Sequence, residues 1–250
     1  MTRRMQIVTG VTLLLASSGL ALGTGKDPGL AGPFGVALVH LEQNVTDGDS
    51  EVVFEVKAGK EGLAKLAVVA PDGRTVVDFT APDASTLGIR QFRFETPEPR
   101  DFKTLKSAYP EGVYTFAGVT ATGGKLRGQA TLQHALPAAT SFVSPRAGAR
   151  GVVIKNLRIA WNPVKNPAAY IVKIEGRKPE ANLTVQVPGT VSTFVVPDGF
   201  LVPGAEYGVA IGTVSEKRNI SFVETTFTTG GESKATNDRG VDPALAALVR

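Results

Sequence analysis

The sequence has no cysteine, only two histidines and a single tryptophan among its 250 residues. Without cysteine the chain has no disulfide, no thiolate metal ligand and no thiol that could accept a lipid anchor. Nucleophilic catalysis is also poorly served, because there is no Gly-x-Ser-x-Gly elbow and there are at most two imidazole bases. These absences predict a chain without catalytic or cofactor-binding residues, whose cores are held together by apolar burial alone.

The first 23 residues have the composition of a secretory signal peptide. Arg3 and Arg4 give a positive start, residues 7–21 are mostly apolar, and residues 21–23 offer a small-x-small cleavage pattern. The apolar run is shorter than the about 20 residues that a membrane span needs, so cleavage is predicted rather than retention as an anchor. The sequence therefore predicts a secreted or periplasmic bacterial protein with no membrane span after cleavage.

The net charge of the chain is small. The sequence has 27 Lys and Arg against 23 Asp and Glu, a formal charge of +4, and loss of Arg3 and Arg4 with the signal peptide leaves +2. A charge so close to neutral argues against a nucleic acid or an anionic membrane held by bulk electrostatics. The predicted partner is another envelope protein or a glycan.

Seven short β-like runs, several of them alternating apolar and polar residues, occur between residues 34 and 135. The predicted strands are 34–41, 51–56, 63–70, 75–79, 89–95, 113–120 and 126–133. Between residues 100 and 109, Phe102, Leu105 and Tyr109 are spaced by three and four, which predicts a short amphipathic helix packed on the core. Seven strands in about a hundred residues predict a β-sandwich.

The C-terminal half carries a more specific pattern. Trp161 ends one β-like run, Tyr170 opens the next, and residues 201–207 read Leu-Val-Pro-Gly-Ala-Glu-Tyr. Over about residues 141–229, a third of the chain, this pattern resembles a fibronectin type III domain. The resemblance implies a β-sandwich with Trp161, Tyr170 and Tyr207 in its core.

In fibronectin type III domains the loop before the last strand often meets partners. In this chain that loop contains Lys217, Arg218 and Asn219. The resemblance makes these three the predicted partner contacts, and a plain solvated hairpin tip is the alternative.

The two halves share a spacing of proline and tyrosine. Pro110 precedes Tyr114 by four residues, as Pro203 precedes Tyr207, and the two tyrosines lie 93 residues apart. That distance is close to the about 100 residues of one immunoglobulin-like domain. We therefore predict an all-β chain of two tandem immunoglobulin-like or fibronectin type III sandwiches, in each of which a tyrosine hydroxyl donates to backbone upstream. The alternative is an unrelated first β domain.

The predicted division of the chain is as follows: signal peptide 1–23, flexible lead 24–33, immunoglobulin-like sandwich 34–135, linker 136–140, fibronectin type III domain 141–229 and disordered tail 230–250.

One acid-rich segment is a candidate metal site. Asn44, Asp47, Asp49 and Glu51 offer several oxygen ligands within a few residues, and oxygen ligands are what Ca²⁺ prefers. No cofactor is predicted, and calcium is the one candidate that the sequence offers. The order of the residues does not match an EF-hand, and the alternative is a solvated loop in which Asp and Gly serve turn geometry.

Two other hypotheses stay open. His40 and His134 lie near the ends of the first and last strands of the first domain, where adjacent strands would bring them together, but two ligands make at most a partial zinc site. A carbohydrate-active or carbohydrate-binding accessory protein that uses loop carboxylates is the rival to a binding or spacer protein.

Overall fold

The computed structural model describes residues 31–81, 88–97 and 101–231. The predicted signal peptide lies outside the described residues, as do residues 24–30 of the predicted lead and 232–250 of the predicted tail. In the described ranges, no helix is both long enough and apolar enough to cross a membrane.

The N-terminal half is a sandwich of two sheets. Its elements are β1 (Gly32–Pro33), β2 (Val36–Asn44), β3 (Asp49–Lys57), β4 (Leu63–Val69), β5 (Thr75–Thr80), β6 (Gln91–Glu95), α1 (Phe102–Ala108), β7 (Gly112–Thr120) and β8 (Lys125–Leu132). Strands β1-β8-β7-β4-β5 form one sheet, and β2-β3-β6 lie in the other. Phe54, Leu66, Tyr114 and Phe116 are buried in the apolar core of this half. The predicted first sandwich is confirmed, and seven of its eight strands match predicted ones.

The predicted helix is present and packs on this core. Asp101 accepts a hydrogen bond from the Thr104 amide, at 2.7 Å, and so caps the N-terminus of α1. Leu105 is buried in the core cluster, and Phe102 and Tyr109 pack against it. The spacing of three and four therefore marks a core-facing stripe, as predicted.

The C-terminal half is a second sandwich. Its strands are β9 (Phe142–Ser144), β10 (Ala149–Val152), β11 (Arg158–Trp161), β12 (Ala169–Arg177), β13 (Glu180–Pro188), β14 (Thr193–Val195), β15 (Glu206–Val214) and β16 (Ile220–Thr229). A sheet β14-β11-β9 faces the strands β13-β12-β15-β16. Trp161, Tyr170, Tyr207 and Phe227 are buried between these layers, with the rings of Trp161 and Tyr170 5.2 Å apart between centroids.

Both sandwiches contain a tyrosine that bonds to backbone upstream. The Tyr114 hydroxyl donates to the Pro110 carbonyl at 3.0 Å, as predicted. At Tyr207 the direction is reversed, because the hydroxyl accepts from the Val202 amide at 2.9 Å. The prediction that Tyr207 donates this bond is therefore wrong, although the contact itself is where it was expected.

Replacing Tyr114 with phenylalanine tests the corner of the first sandwich. We expect Tyr114→Phe to lower the free energy of unfolding by about 1–3 kcal/mol, because the Pro110 carbonyl then loses its partner beside a fully buried ring. Urea unfolding measures this difference. A change within about 0.5 kcal/mol, which is usual for a surface substitution, would contradict a structural role of this bond.

The two sandwiches share one sheet. Strand β16 pairs in parallel with β2, with Ile220 opposite Glu42, Ser221 opposite Gln43 and Phe222 opposite Asn44. The resulting sheet has eight strands. Seven of them lie in the order β13-β12-β15-β16-β2-β3-β6, the first four from the second sandwich and the last three from the first, and the eighth, β10 of the second sandwich, pairs with β16 off this path. The two halves are thus joined by main-chain pairing as well as by the chain itself.

Candidate functional site

The junction of the two sandwiches contains several buried polar side chains, among them His40, Glu42, Lys173, Asn219 and Ser221. At its centre, the Asn219 side chain bridges three separate segments. Its Oδ1 accepts from the Leu41 amide at 2.9 Å, and its Nδ2 donates to the carbonyls of Gln133 and Ala135 at 2.7 and 2.8 Å. Asn219 is buried and its bond to the Leu41 amide is shielded from water, whereas its bonds to the Gln133 and Ala135 carbonyls are partly buried.

Further side-chain bonds extend this bridge on both sides. Ser221 Oγ donates to the Pro137 carbonyl and accepts from Gln43 Nε2, both at 2.7 Å. The Glu224 amide donates to Thr46 Oγ1, also at 2.7 Å. The predicted linker is therefore tied at Pro137 to the last strand of the second sandwich, which limits its freedom more than its length alone does.

Charged side chains lie buried next to this bridge, on the outer face of β2, β3 and β6. Arg93 contacts Glu42 at 3.3 Å, Glu55 at 3.1 Å and Glu95 at 2.6 Å. His40 Nε2 lies 2.8 Å from the same Oε1 of Glu42. One guanidinium therefore balances two buried carboxylates and one half-buried carboxylate.

Lys173 contributes a second buried cation from the opposite sandwich. Its Nζ lies 4.4 Å from the centroid of the Phe222 ring, and the residue is 3% exposed. Burial lowers the pKa of Lys173, while the nearby Glu42 carboxylate acts to raise it. Burial by itself would raise the pKa of Glu42, but the His40 hydrogen bond together with Arg93 and Lys173 lowers it to about 2. The Glu42 carboxylate is thus stabilised as an anion by cationic side chains of both sandwiches, Arg93 of the first and Lys173 of the second.

Two further carboxyls at the junction hold their protons more tightly than usual. Burial, reinforced by the neighbouring Glu42 and Glu95, raises the pKa of Glu51 from 4.5 to about 7. Burial and the nearby Asp47 raise the pKa of Glu224 to about 7. Both carboxyls therefore titrate near neutral pH, Glu51 in the first sandwich and Glu224 in the second.

Because of these two carboxyls, we expect the free energy of unfolding to fall between pH 5 and pH 8. Glu51 and Glu224 have folded-state pKa values above the unfolded value of 4.5, so the folded state binds more protons in this range. Their stabilising contribution to the free energy of unfolding is fully present below about pH 4.5 and is lost as the pH rises through about 7. The lowered pKa of Glu42 makes the free energy of unfolding depend on pH only below pH 4.5, outside this range. Urea unfolding at pH 5 and pH 8 should give the higher free energy at pH 5.

The variant Glu51→Gln provides the control for this pH dependence. It removes one titrating carboxyl while keeping a similar shape, so the loss between pH 5 and pH 8 should become smaller and the variant should be the more stable protein at pH 8. An unchanged loss in Glu51→Gln would contradict a raised pKa at Glu51.

A recess of about 180 Å³ opens on the same face, between the two sandwiches. Its wall contains Leu38, His40 and Glu55 from the first sandwich and Ile171 and Gln186 from the second. The recess therefore lies where the outer face of the first sandwich meets that of the second.

No protein-family model and no curated protein matches the chain. Similar solved structures include the FN1–FN3 domains of chicken CNTN1, at 17% identity over 80% of this chain and 66% of that chain, with a TM-score of 0.30. A two fibronectin type III domain segment from chicken tenascin is 16% identical over 78% of this chain and 99% of that chain, with a TM-score of 0.28. The fibronectin(III)-like modules of Clostridium thermocellum CbhA are 10% identical over 81% of this chain and 92% of that chain, with a TM-score of 0.30.

The C-terminal half has the fibronectin type III fold. Its three-stranded and four-stranded layers enclose Trp161, Tyr170 and Tyr207, the residues on which the resemblance was based. The prediction of two β-sandwiches in an all-β chain with one short helix is confirmed.

The structure uses the candidate calcium residues for a hairpin turn. Asn44 Nδ2 donates to Asp47 Oδ2, and Asn44 Oδ1 and Asp47 Oδ1 accept from the amides of Thr46 and Asp49. Asn44, Asp49 and Glu51 belong to strands β2 and β3 and not to one loop. Among the described residues, no group of three or more acidic, histidine or cysteine side chains is arranged to hold a metal ion. The calcium site stays a prediction.

The three residues of the predicted partner loop differ in their exposure to solvent. Lys217 is exposed and Arg218 is half-buried, with a positive φ of 69°. Asn219 lies inside the junction, where Gln133, Ala135 and Leu41 occupy its side chain. Of the three predicted contacts, Lys217 and Arg218 are thus the two that solvent reaches.

The two histidines lie in different settings. His40 is paired with Glu42, whereas His134 Nε2 lies 2.8 Å from the Tyr109 carbonyl and its backbone amide donates to Glu111. Neither environment contains a set of metal ligands among the described residues.

Sequence reasoning missed Glu42, Arg93 and Lys173. One signal was available for Lys173, which interrupts the apolar run from Ala169 to Ile174. A lysine inside such a run is rarely buried unless it has a partner, so it indicates a counter-charge elsewhere in the fold. For Arg93, on a short alternating strand, the sequence offers no comparable signal.

Proposed function

We propose that this is an exported, non-catalytic binding or spacer protein of the cell envelope, in which two sandwiches act as one body. The observation that carries this proposal is the shared sheet, in which β2 and β16 pair directly and Asn219 and Ser221 bond across the junction. A short interdomain linker by itself allows some relative motion. Main-chain pairing and buried hydrogen bonds oppose that motion, and this suits a protein that holds two surfaces at a fixed spacing.

Export is supported by the sequence of residues 1–23, and the proposed site of action is the periplasm or the cell exterior. The proposed partner is an envelope protein or a glycan, which is consistent with the near-neutral mature charge. Lys217 and Arg218 are the proposed contact residues, because they project from the junction next to the buried Asn219.

The first test of this proposal concerns export. Mass spectrometry of protein purified from envelope and extracellular fractions of the native cells should find a mature N-terminus at Thr24. A full-length chain confined to the cytoplasmic fraction would overturn the export part of the proposal.

The second test concerns the partner. Cross-linking and pull-down from native envelopes should compare the mature protein with a Lys217→Ala, Arg218→Ala double variant, and Asn219 should be left intact because its loss would disturb the junction. Specific loss of one partner in the double variant supports the proposed surface. Equal recovery of the same proteins by both rules this surface out. Retention on a polysaccharide with no protein partner would favour the carbohydrate-binding alternative, and a melting temperature that rises with millimolar calcium over chelator would favour the calcium site.

A further inference from the structure

Strand β13 forms a long, open edge of the eight-stranded sheet. It stands first in the strand order and pairs with β12 over nine residue pairs without a bulge. Because antiparallel partners bond in alternate pairs, every second residue of β13 directs its N–H and C=O away from β12. Among the described residues, no main-chain hydrogen bond meets residues 181–187 from that side. This edge is therefore a template on which a further strand can pair.

The other sheet edges in the described part of the chain are protected against such pairing. Native proteins protect edges with short strands, charged residues, prolines and bulges. These features occur in β1, with two residues and Pro33, in β9 and β14, with three residues each, in β5, with Asp78 and a shift of register, and in β6, with Arg93 and Glu95. In β13 the only charge and the only proline, Glu180 and Pro188, lie at the two ends. The residues between them carry no such protection.

The chain next to β13 does not cover this edge. After Pro188 it turns back toward β12, since Gly189 packs so closely on Pro167 that a Cβ there would meet the Pro167 carbonyl. Four apolar side chains of β13 pack against the second core but are only half-buried: Ala181, Leu183, Val185 and Val187. Because β13 is the last strand of its layer, a partner strand would extend the cover over this apolar row.

The sequence of β13 is complementary to itself in an antiparallel arrangement. The register that pairs the whole strand with a second copy joins Glu180 with Pro188, Ala181 with Val187, Asn182 with Gln186, Leu183 with Val185 and Thr184 with Thr184. Apolar residues then face apolar ones, polar residues face polar ones, and the one charge of each strand faces a proline. A slip by one residue would set the apolar row of one copy on the polar face of the other.

The C-terminal segment of the same chain fits this edge less well than a second copy. Strand β16, which leads to that segment, is separated from β13 by β12 and β15. Residues 232–250 contain Gly240, Pro243 and a run of alanine and leucine, without the alternating β-branched and polar residues that suit a strand.

We propose that two copies of this chain pair through β13, antiparallel, about a two-fold axis at Thr184. Such a contact uses the same surface on both copies, so it closes at the dimer and does not propagate. The two large sheets become one continuous sheet with the first sandwiches toward its two far ends. The dimer does not depend on the proposed envelope role, because it needs no other molecule, but it would present the surface of Lys217 and Arg218 twice.

Sedimentation equilibrium of the mature chain measures this association. A contact confined to one pair of strands lies at the small end of protein interfaces, so we expect a monomer–dimer equilibrium with a Kd of about 1–100 μM. Amide hydrogen exchange at alternate residues of 181–187 should slow as the protein concentration rises, whereas exchange in the first sandwich should not change. A chain that stays monomeric up to about 500 μM would overturn the proposal.

Substitution of exposed threonines locates the contact. Thr184 is exposed, so Thr184→Lys leaves the core intact while it places two ammonium groups opposite each other in the dimer. We expect the Kd to rise about 5-fold or more. Thr131→Lys makes the same change at an exposed position of β8 in the first sandwich and should leave the Kd unchanged.

A mixture of two variants tests the register. Thr184→Glu should weaken its own dimer in the same way, but a Thr184→Lys chain and a Thr184→Glu chain bring opposite charges together at the two-fold axis. An equimolar mixture should therefore associate more tightly than either variant alone. An equal Kd for the wild type and Thr184→Lys, or a mixture no tighter than the separate variants, would contradict pairing at Thr184.

Discussion

Replacing Asn219 with alanine should lower the free energy of unfolding by about 2–4 kcal/mol, since each buried backbone group left without a partner costs about 1–3 kcal/mol. The substitution removes the acceptor of the Leu41 amide and the donor to the Gln133 and Ala135 carbonyls at once. Asn219→Asp should be worse than Asn219→Ala at neutral pH, because it places a carboxylate against two carbonyl oxygens. The neighbouring Lys217→Ala, at an exposed position, should change stability by less than about 0.5 kcal/mol.

The single tryptophan makes this experiment specific for the junction. Trp161 lies in the core of the second sandwich, so its fluorescence reports on that half, whereas far-ultraviolet circular dichroism reports on both. In the wild-type protein the two signals should give one urea midpoint, as expected for cooperative unfolding. In Asn219→Ala the midpoints should fall and separate. A variant with wild-type stability and coincident midpoints would show that the Asn219 bonds do not couple the halves.

Most of the strands could be predicted from the sequence because their burial is one-sided. In β7 and β8, buried or half-buried residues alternate with more exposed ones, and this period of two is visible without any knowledge of the fold. The tyrosine corners are equally local, since Tyr114 and Tyr207 each bond to a residue four or five positions upstream. Local patterns of this kind fix an element wherever the chain places it.

The junction could not be predicted in this way. Leu41 and Asn219 are 178 residues apart, and the pairing of β2 with β16 depends on how two complete sandwiches meet. Asn219 has no feature in the sequence that distinguishes it from an ordinary turn asparagine. The loop prediction therefore assigned it to solvent, where turn residues usually lie.

One signal of a second covered face was nevertheless present. In β12 the residues from Ala169 to Ile174 are all buried, and β15 is buried from Tyr207 to Val214. A strand of an isolated sandwich has one face toward solvent and reads as an alternation, whereas a continuous apolar run indicates burial on both faces. Ile171 and Ala210 lie on the outer face of this sheet, where they are buried in a separate apolar cluster with Ile220 and Phe222, and that is why these strands do not alternate.

The surroundings of the acid-rich segment could not be predicted for a related reason. Glu51 was grouped with Asp47 because the two are close in sequence, but it lies in β3 opposite Glu42 and under the influence of Glu95. The charge pattern along the chain cannot reveal such cross-strand neighbours. In the folded chain Asn44 and Asp47 form a hairpin turn, whereas Glu51 interacts electrostatically with the buried charge network.

That network leads to the second large effect, at Arg93. Replacing Arg93 with methionine keeps much of the apolar stem but leaves Glu42 and Glu55 buried without their guanidinium partner. Breaking a buried ion pair by removing one partner costs about 3–5 kcal/mol, and we expect Arg93→Met to lower the free energy of unfolding by that amount. Glu95→Gln, which removes the more exposed contact, should cost only about 0–1 kcal/mol.

The cost of Arg93→Met should arise from the unpaired carboxylates rather than from lost packing, and a change of background separates these causes. In a protein that already carries Glu42→Gln and Glu55→Gln, the same Arg93→Met substitution leaves no buried anion behind. Its effect there should shrink to about 1–2 kcal/mol or less, because neighbouring sites that share a network are not additive. Urea unfolding of the four proteins measures this coupling. Equal costs of Arg93→Met in both backgrounds would mean that Arg93 stabilises the junction by packing alone.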